Sequence, residues 1–405
     1  MIIKLVALLL PLMIFNTISF GAVPLPFVTL LLALTCAIMM WKRKIIPGFS
    51  YTAPLLSLLV ISFCKAIFLL GTDSIVDVVK ISTMLIALAG IYFIFKENLQ
   101  DFLQWYFYAM ILILLYMVYQ FVVLAAGLDR SAWGVNLPVE MWNANAWHVS
   151  IIRDGIIRVQ GFAYEPAYLA IFLGFALFCA NSFPGYRKWT IFIVVGLFAT
   201  GSRNTMVFLV VFYGLLFSYK KLSENFIGFI YLLSFFFPVA TFFLLDLNDG
   251  FDVSILARAL PYKVIAENIF SDFWSSLIGV ASYVDAIDNS AYLYGFSDVV
   301  ISEKVNEDPK SFIAYLILHF GFLGFFVFIF SQWWFLRRSK ISLIYMTSFN
   351  LLCFNINVLF WPIYWCVYAL SIVIQKKITV ATEDISSKND VTDAEHGTSI
   401  GLLKK

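Results

Sequence analysis

The chain has 405 residues, of which 62% are hydrophobic and 13% charged, and its mean hydropathy is +0.89. An ordinary soluble domain carries about 25% charged residues, so a soluble enzyme or a nucleic-acid-binding module is excluded and a multi-pass helical membrane protein is expected. The formal net charge of +2 and the 43 phenylalanines identify no partner by themselves.

Apolar runs of about 20 residues, punctuated by Pro, Gly and basic clusters, predict about twelve spans. They lie near 2–20, 22–41, 52–70, 76–95, 102–127, 164–183, 189–200, 204–219, 226–246, 311–336, 341–360 and 362–375. The apolar start reads as a retained first helix, because Gly21 to Pro26 shows no small-residue cleavage pattern and leads straight into another span. Lys42, Arg43, Lys44, Lys96, Arg187, Lys188, Lys220, Lys221, Arg337, Arg338, Lys340, Lys376 and Lys377 all fall on one side of this arrangement. The positive-inside rule makes that side cytoplasmic and puts both termini there. The chain then divides into spans one to five (1–127), a first long outer loop (128–163), spans six to nine (164–246), a second long outer loop (247–310), spans ten to twelve (311–375) and a polar tail (376–405) expected to be disordered. Cys36, Cys64, Cys179, Cys353 and Cys366 all sit in predicted spans without metal-ligand spacing, so neither a disulfide framework nor a zinc site is implied.

The most informative stretch is WTIFIVVGLFATGSRNTMVFLVVFYGLLFSYKK, from Trp189 to Lys221. Basic pairs close both ends, so its tip, Thr200 to Asn204, points outward. Trp189 to Thr200 rises only about 18 Å against a hydrocarbon core of about 30 Å, which leaves Arg203 below the outer surface. A charge there costs at least ~2.5 kcal/mol and belongs in a polar cavity or against an anion.

Of the two long outer loops, the first carries Trp133, Trp142 and Trp147 with Arg130, Arg153 and Arg158. That mixture suits stacking on sugar faces and holding anions, and equally suits an interfacial helix anchored by tryptophans. The second is acidic, so Arg258, Lys263, Lys304 and Lys310 stand out; its segment SILARALPYKVIAENIF predicts short helices before and after Pro261, lying on the membrane face. Arg258 can also be read as pairing with Asp252 or Asp249. Lys65 and Lys80 fall near outer span ends, where snorkelling, pairing with Asp73 and Asp77, or binding of a lipid diphosphate each account for them. The acidic pairs Asp246 with Asp249 and Asp285 with Asp288 read as solvated loop charge rather than metal ligands.

Three segments together resemble the Wzy-type O-antigen polymerase and O-antigen ligase superfamily. They are RVQGFAYEPAYLA at 158–170, TGSRNT at 200–205, and the region from Arg258 through LIGV at 277–280 to KSFIAYLILHFGFLGFF at 310–326. One departure is clear. Ligases and many relatives place a His-Asn pair about a dozen residues before the Gly-x-x-Gly of Gly321 and Gly324, where this chain has Lys310 and Ser311. His319, further along the same span, reads as a packing or hydrogen-bonding residue.

The resemblance implies a GT-C-like, all-α integral membrane fold. It also implies transfer of a growing glycan from undecaprenyl diphosphate to another lipid-linked repeat unit, on the periplasmic face of the inner membrane. The partners would be the lipid-linked donor and acceptor, membrane lipid and a chain-length regulator protein, with no cofactor, metal or nucleic acid. Such a reaction needs cations for the departing diphosphate, and guanidinium forks suit phosphate oxygens. Arg158, Arg203 and Arg258 are the candidates, with Lys310 joining them where relatives use histidine. Glu165 precedes Pro166 at the outer start of the sixth span, where the helix dipole favours negative charge. It is read as either holding an arginine or accepting the hydroxyl proton. Tyr164, Ser202 and Lys263, beside these residues in the same segments, complete the expected substrate-binding set. Two alternatives stand: an O-antigen ligase, which differs in its acceptor, and a lipid flippase or transporter, which predicts charged or broken helices near the midplane of both halves.

Overall fold

The computed structural model describes residues 1–12, 17–20, 23–43, 49–69, 72–128, 152–153, 156–163, 165–244, 253–269, 272–288, 309, 311–354 and 356–375. The polar tail, most of the first long loop and parts of the second lie outside these residues. The architecture is a helical bundle with two short antiparallel hairpins.

The predicted first span is not one helix. Helix α1 (Ile2–Leu9) rises only about 12 Å. Pro11 has no N–H for the next rung, and β1 (Thr17–Phe20) then pairs with β2 (Val23–Pro26), with Thr17 opposite Pro26. Pro24 and Pro26 and the β-branched residues around them disfavour a helix here, a preference that hydropathy does not register. Helices α2 (Phe27–Arg43), α3 (Ala53–Leu69), α4 (Thr72–Glu97) and α5 (Leu99–Ala125) follow close to the predicted runs. So do α6 (Pro166–Ser182), α7 (Thr190–Ala199), α8 (Arg203–Ser218) and α9 (Glu224–Leu244). The second loop supplies α10 (Val253–Ile269), α11 (Phe273–Ile278) and α12 (Tyr283–Asp288). Pro261 sits inside α10, so the two helices expected around it are one, and its buried face, Ala259, Leu260, Tyr262, Val264 and Ile265, packs into the bundle. Asp272 caps α11 by accepting the Ser275 N–H at 2.8 Å, which holds its carboxyl below the usual carboxylate range.

Helices α13 (Phe312–Leu336), α14 (Lys340–Cys353) and α15 (Pro362–Gln375) complete the bundle. The predicted run 341–360 stops early, because α14 ends at Cys353 and residues 356–361 form a non-helical connection before Pro362. The core is built by α6, α14, α15 and the first half of α13, which are buried on almost every side. Around Phe178, for example, the rings of Phe208, Phe212, Tyr345 and Phe349 pack at 4.6–5.9 Å. The periphery is the reverse of a soluble surface. Leu112, Leu115, Val118, Phe192, Val195, Val210, Phe229 and Phe237 are all exposed. Contiguous apolar surface on this scale needs a non-aqueous neighbour. Among the described residues, α4, α5, α9 and α13 are long and apolar enough to cross a membrane, and the other apolar helices are shorter.

Candidate functional site

The site is assembled at one end of the bundle, where α6, α8 and α13 begin. The strand pair Ile152–Arg153 and Ile156–Ile157 leads into the non-helical segment 158–160. Val159 N–H donates to Ala199 O at 3.2 Å and Arg158 Nε to Thr200 O at 3.4 Å, so this segment is tied to the tip of the α7–α8 hairpin. Gly201 makes the approach feasible: its φ is +56°, and a Cβ there would lie 2.8 Å from Arg158 Cγ. Ser202 is the N-cap of α8, buried, with its N–H 3.4 Å from Thr200 Oγ1. Arg203 follows at the first helical position, exposed and without an ion pair among the described residues. An N–H-rich helix start and an unpaired guanidinium thus coincide at the tip.

Glu165 is the N-cap of α6, with Pro166 at the first helical position, yet its side chain makes no capping bond. Its carboxylate instead faces Arg258 of α10, Oε2 to Nη2 at 3.9 Å, with the two side chains 27% and 20% exposed. Asp249 and Asp252, the partners weighed for Arg258, lie outside the described residues. Helix α10 is fixed in turn to the start of α13: the Tyr262 hydroxyl lies 2.7 Å from Ser311 Oγ, which donates to Phe354 O at 2.9 Å. Two pairings therefore emerge, Arg158 with the hairpin tip and Glu165 with Arg258. Lys263 is half-buried on α10. Tyr164 and Lys310 lie outside the described residues. Sequence reasoning passed over Gln160, which lies between Arg158 and Glu165, is fully buried, and has both amide atoms unpartnered among the described residues.

A second polar constellation lies across α3, α4 and α13. Lys65 is buried and donates to His319 O at 2.7 Å. It does not snorkel. His319 Nδ1 is 2.8 Å from Asp77 Oδ2, and the Tyr315 hydroxyl bonds the other Asp77 oxygen while its ring stacks on the imidazole at 3.9 Å. His319 is thus a hydrogen-bonding residue, as expected, but its partner is a buried carboxylate. The cause is a break in α13 at Gly321, whose φ of 63° and ψ of −172° interrupt the helical ladder and free carbonyls. Leu318 O accepts Val280 N–H at 2.8 Å, and Asp73 accepts Tyr283 N–H at 3.0 Å, so α11 and α12 are held down on the break. Lys80 lies with its Nζ 5.5 Å from the Phe360 ring centroid. At the other end of the bundle, an open groove lined by Glu224, Gly228, Trp333, Arg337 and Arg338 contains none of the predicted residues.

No protein-family model matches the chain, and neither a curated protein nor a solved structure matches it at a significant level. The fold and surface define a helical membrane protein with polar residues gathered where several helices begin.

Proposed function

We propose that the chain polymerises undecaprenyl-diphosphate-linked oligosaccharide repeat units into O-antigen or a related surface polysaccharide, with its site on the periplasmic face of the bacterial inner membrane. What supports the reading is the contact between Glu165 and Arg258, which joins the Glu-Pro segment to the third segment of the resemblance. The acceptor sugar hydroxyl attacks the anomeric carbon of the donor glycan, a new C–O bond forms, and the bond to the diphosphate breaks with its electron pair. Arg203 and Arg258 take up the charge developing on the diphosphate. The hydroxyl proton passes to a base, for which Glu165, its carboxylate 3.9 Å from Arg258, is the candidate; held against Arg258, it also orients that guanidinium.

The test uses purified protein and synthetic lipid-linked repeat units, with polymer length and donor binding measured separately. If Glu165 is the base, Glu165→Gln lowers turnover by about 10²-fold while donor still binds. If it only holds Arg258, Glu165→Gln keeps part of the activity and Glu165→Ala is much worse. Wild-type rates in both variants overturn both roles. In cells, deletion leaves one repeat on the lipopolysaccharide core if the chain is a polymerase, and none if it is a ligase or flippase.

The buried Lys65–Asp77–His319 group beside a broken helix favours a second reading, a transporter of lipid-linked glycan. That reading predicts movement of an unpolymerised repeat unit across vesicles containing the purified protein.

A further inference from the structure

At the end of the bundle opposite Glu165, α13 stops in the run Trp333, Trp334, Phe335, Leu336, Arg337, Arg338, and α9 starts at Glu224. The groove between them has a volume of about 480 Å³, within the ~300–1,000 Å³ of ligand pockets. Its walls follow from the residue types. Gly228 carries no side chain, and a Cβ there would lie 3.1 Å from Trp333 Nε1, so the indole can approach the backbone of α9. That indole N–H donates no hydrogen bond among the described residues. Arg337 lies four residues after Trp333, on the same helix face. Its guanidinium carbon stands 5.3 Å from the Trp333 ring centroid and 3.6 Å from that of Trp334. Stacking fixes the plane of the guanidinium and leaves the N–H groups at its edge free to donate.

The groove is electrostatically one-sided. Lys340 Nζ donates to Leu222 O at 2.9 Å, which ties the start of α14 to the turn ahead of α9. The segments 219–225 and 333–340 together hold five cations, Arg337, Arg338, Lys340, Lys220 and Lys221, against the single carboxylate of Glu224. Neither arginine forms an ion pair with Glu224 or any other carboxylate among the described residues. An anion is the missing partner.

Below the groove the chemistry changes. From Gly228 and Trp333, α9 and α13 run on in opposite chain directions and meet again where Phe236 packs on Phe325 and Phe326, at 5.7 and 6.2 Å. Gly228 to Phe236 and Trp333 to Phe326 each rise about 10–12 Å, so the two helices share an apolar seam of that length. Phe229, Leu233, Phe330 and Trp334 on these stretches are exposed.

We propose that this groove binds an anionic glycerophospholipid, its phosphate held by Arg337 and Arg338 and its acyl chains laid along the seam of α9 and α13. The Trp333 indole N–H is a further donor to the headgroup. A free phosphate would satisfy the arginines and leave the seam bare, whereas a lipid matches both halves. Tryptophan and arginine at the end of an apolar helix mark the headgroup level of a bilayer, and basic pockets between membrane helices are suited to anionic headgroups. The glycan donor of the proposed reaction belongs at the opposite end, beside Glu165 and Arg258.

The experiment titrates purified full-length protein, in an uncharged detergent, with phosphatidylglycerol or with phosphatidylcholine of the same acyl chains, and follows lipid adducts by native mass spectrometry. Wild-type protein should bind phosphatidylglycerol about tenfold more tightly than phosphatidylcholine. Arg337→Gln combined with Arg338→Gln should abolish that preference. Arg338→Gln alone, at an exposed position, should reduce it, and serves as the second variant should the double variant fail to fold. Lys220→Gln combined with Lys221→Gln removes two charges at the same end but outside the groove, and should change the preference by less than about twofold. Equal affinity for the two lipids overturns the proposal. So does an equal loss in the lysine variant, which would assign the effect to diffuse surface charge. If glycerol 3-phosphate binds as tightly as the lipid, the seam contributes nothing and the lipid assignment fails. Protein that is dimeric without lipid and monomeric as the arginine double variant would assign the groove to a second copy of the chain. No glycan enters the measurement, so its failure leaves the polymerase reading untouched.

Discussion

Replacing Gly321 with alanine tests the break in α13 directly. At φ 63° and ψ −172° the backbone occupies a region essentially reserved for glycine, where a side chain costs about 1–3 kcal/mol. A Cβ there would also overlap the carbonyl of Leu277 and the N of Ile278, which are backbone atoms and cannot swing aside. Separating the two segments stretches the Val280 N–H to Leu318 O bond, worth a further ~0.5–1.5 kcal/mol net. The sum is roughly 2–4 kcal/mol, large against the marginal stability of a folded chain. Gly279, with φ 89°, faces the same contact from the other side, since its Cβ would meet Leu318 O and the His319 carbonyl. Gly279→Ala should therefore cost a similar amount, and the double variant less than the sum, because one contact is lost twice. Gly214 in α8 is the control: nothing lies within 4 Å of a Cβ there, and alanine should be neutral or stabilise the helix by up to about 1 kcal/mol. The assay is the apparent thermal midpoint of purified protein in one detergent, followed by tryptophan fluorescence. A Gly321→Ala midpoint equal to that of Gly214→Ala would refute the backbone-to-backbone packing described here.

Two further outcomes are expected. Arg203→Lys should lose polymer formation nearly as completely as Arg203→Ala at normal expression, because a point charge does not replace a two-pronged contact with a diphosphate; full-length polymer from Arg203→Ala protein would remove this residue from the site. Single cysteines at Ser150 and Ser290 in a cysteine-free background should react with a membrane-impermeant thiol reagent in intact cells, whereas one at Ser386 should not, and the opposite pattern would invert the charge-based orientation.

The sequence was most readable where apolar runs are closed by strong punctuation. Pro166 opens α6 and Arg203 opens α8 within a residue or two of the expected starts, because proline geometry and a charge at a helix tip both act locally. Legibility failed where hydropathy is the only signal. Residues 2–20 are as apolar as a span, yet Pro11 and the Pro24–Pro26 pair turn them into a short helix and a hairpin. The arginines and Glu165 were visible as isolated charges in apolar surroundings, but not that Glu165 would meet Arg258, which depends on how α10 folds back. Lys65, Asp77 and His319 were each visible alone. Their meeting was hidden because it needs the carbonyls freed at Gly321, and a glycine in an apolar run gives no local sign of positive φ.

That meeting also bears on the choice between an enzyme and a transporter. A transporter of the repeat-built kind couples ions near the bilayer midplane, with broken helices in corresponding positions of both halves. Among the described residues the non-helical break within a long apolar helix is that of α13, and the ionisable group beside it lies about 6 to 10 Å from helix ends rather than midway along them. It shares that end with Glu165 and Arg258, to which α13 is linked through Ser311, Tyr262 and α10. A buried ionic group at this depth is better suited to supporting a site at the same end than to carrying cargo through the bundle. The polymerase reading therefore accommodates the buried cluster, whereas the transporter reading requires a second break that would have to lie outside the described residues.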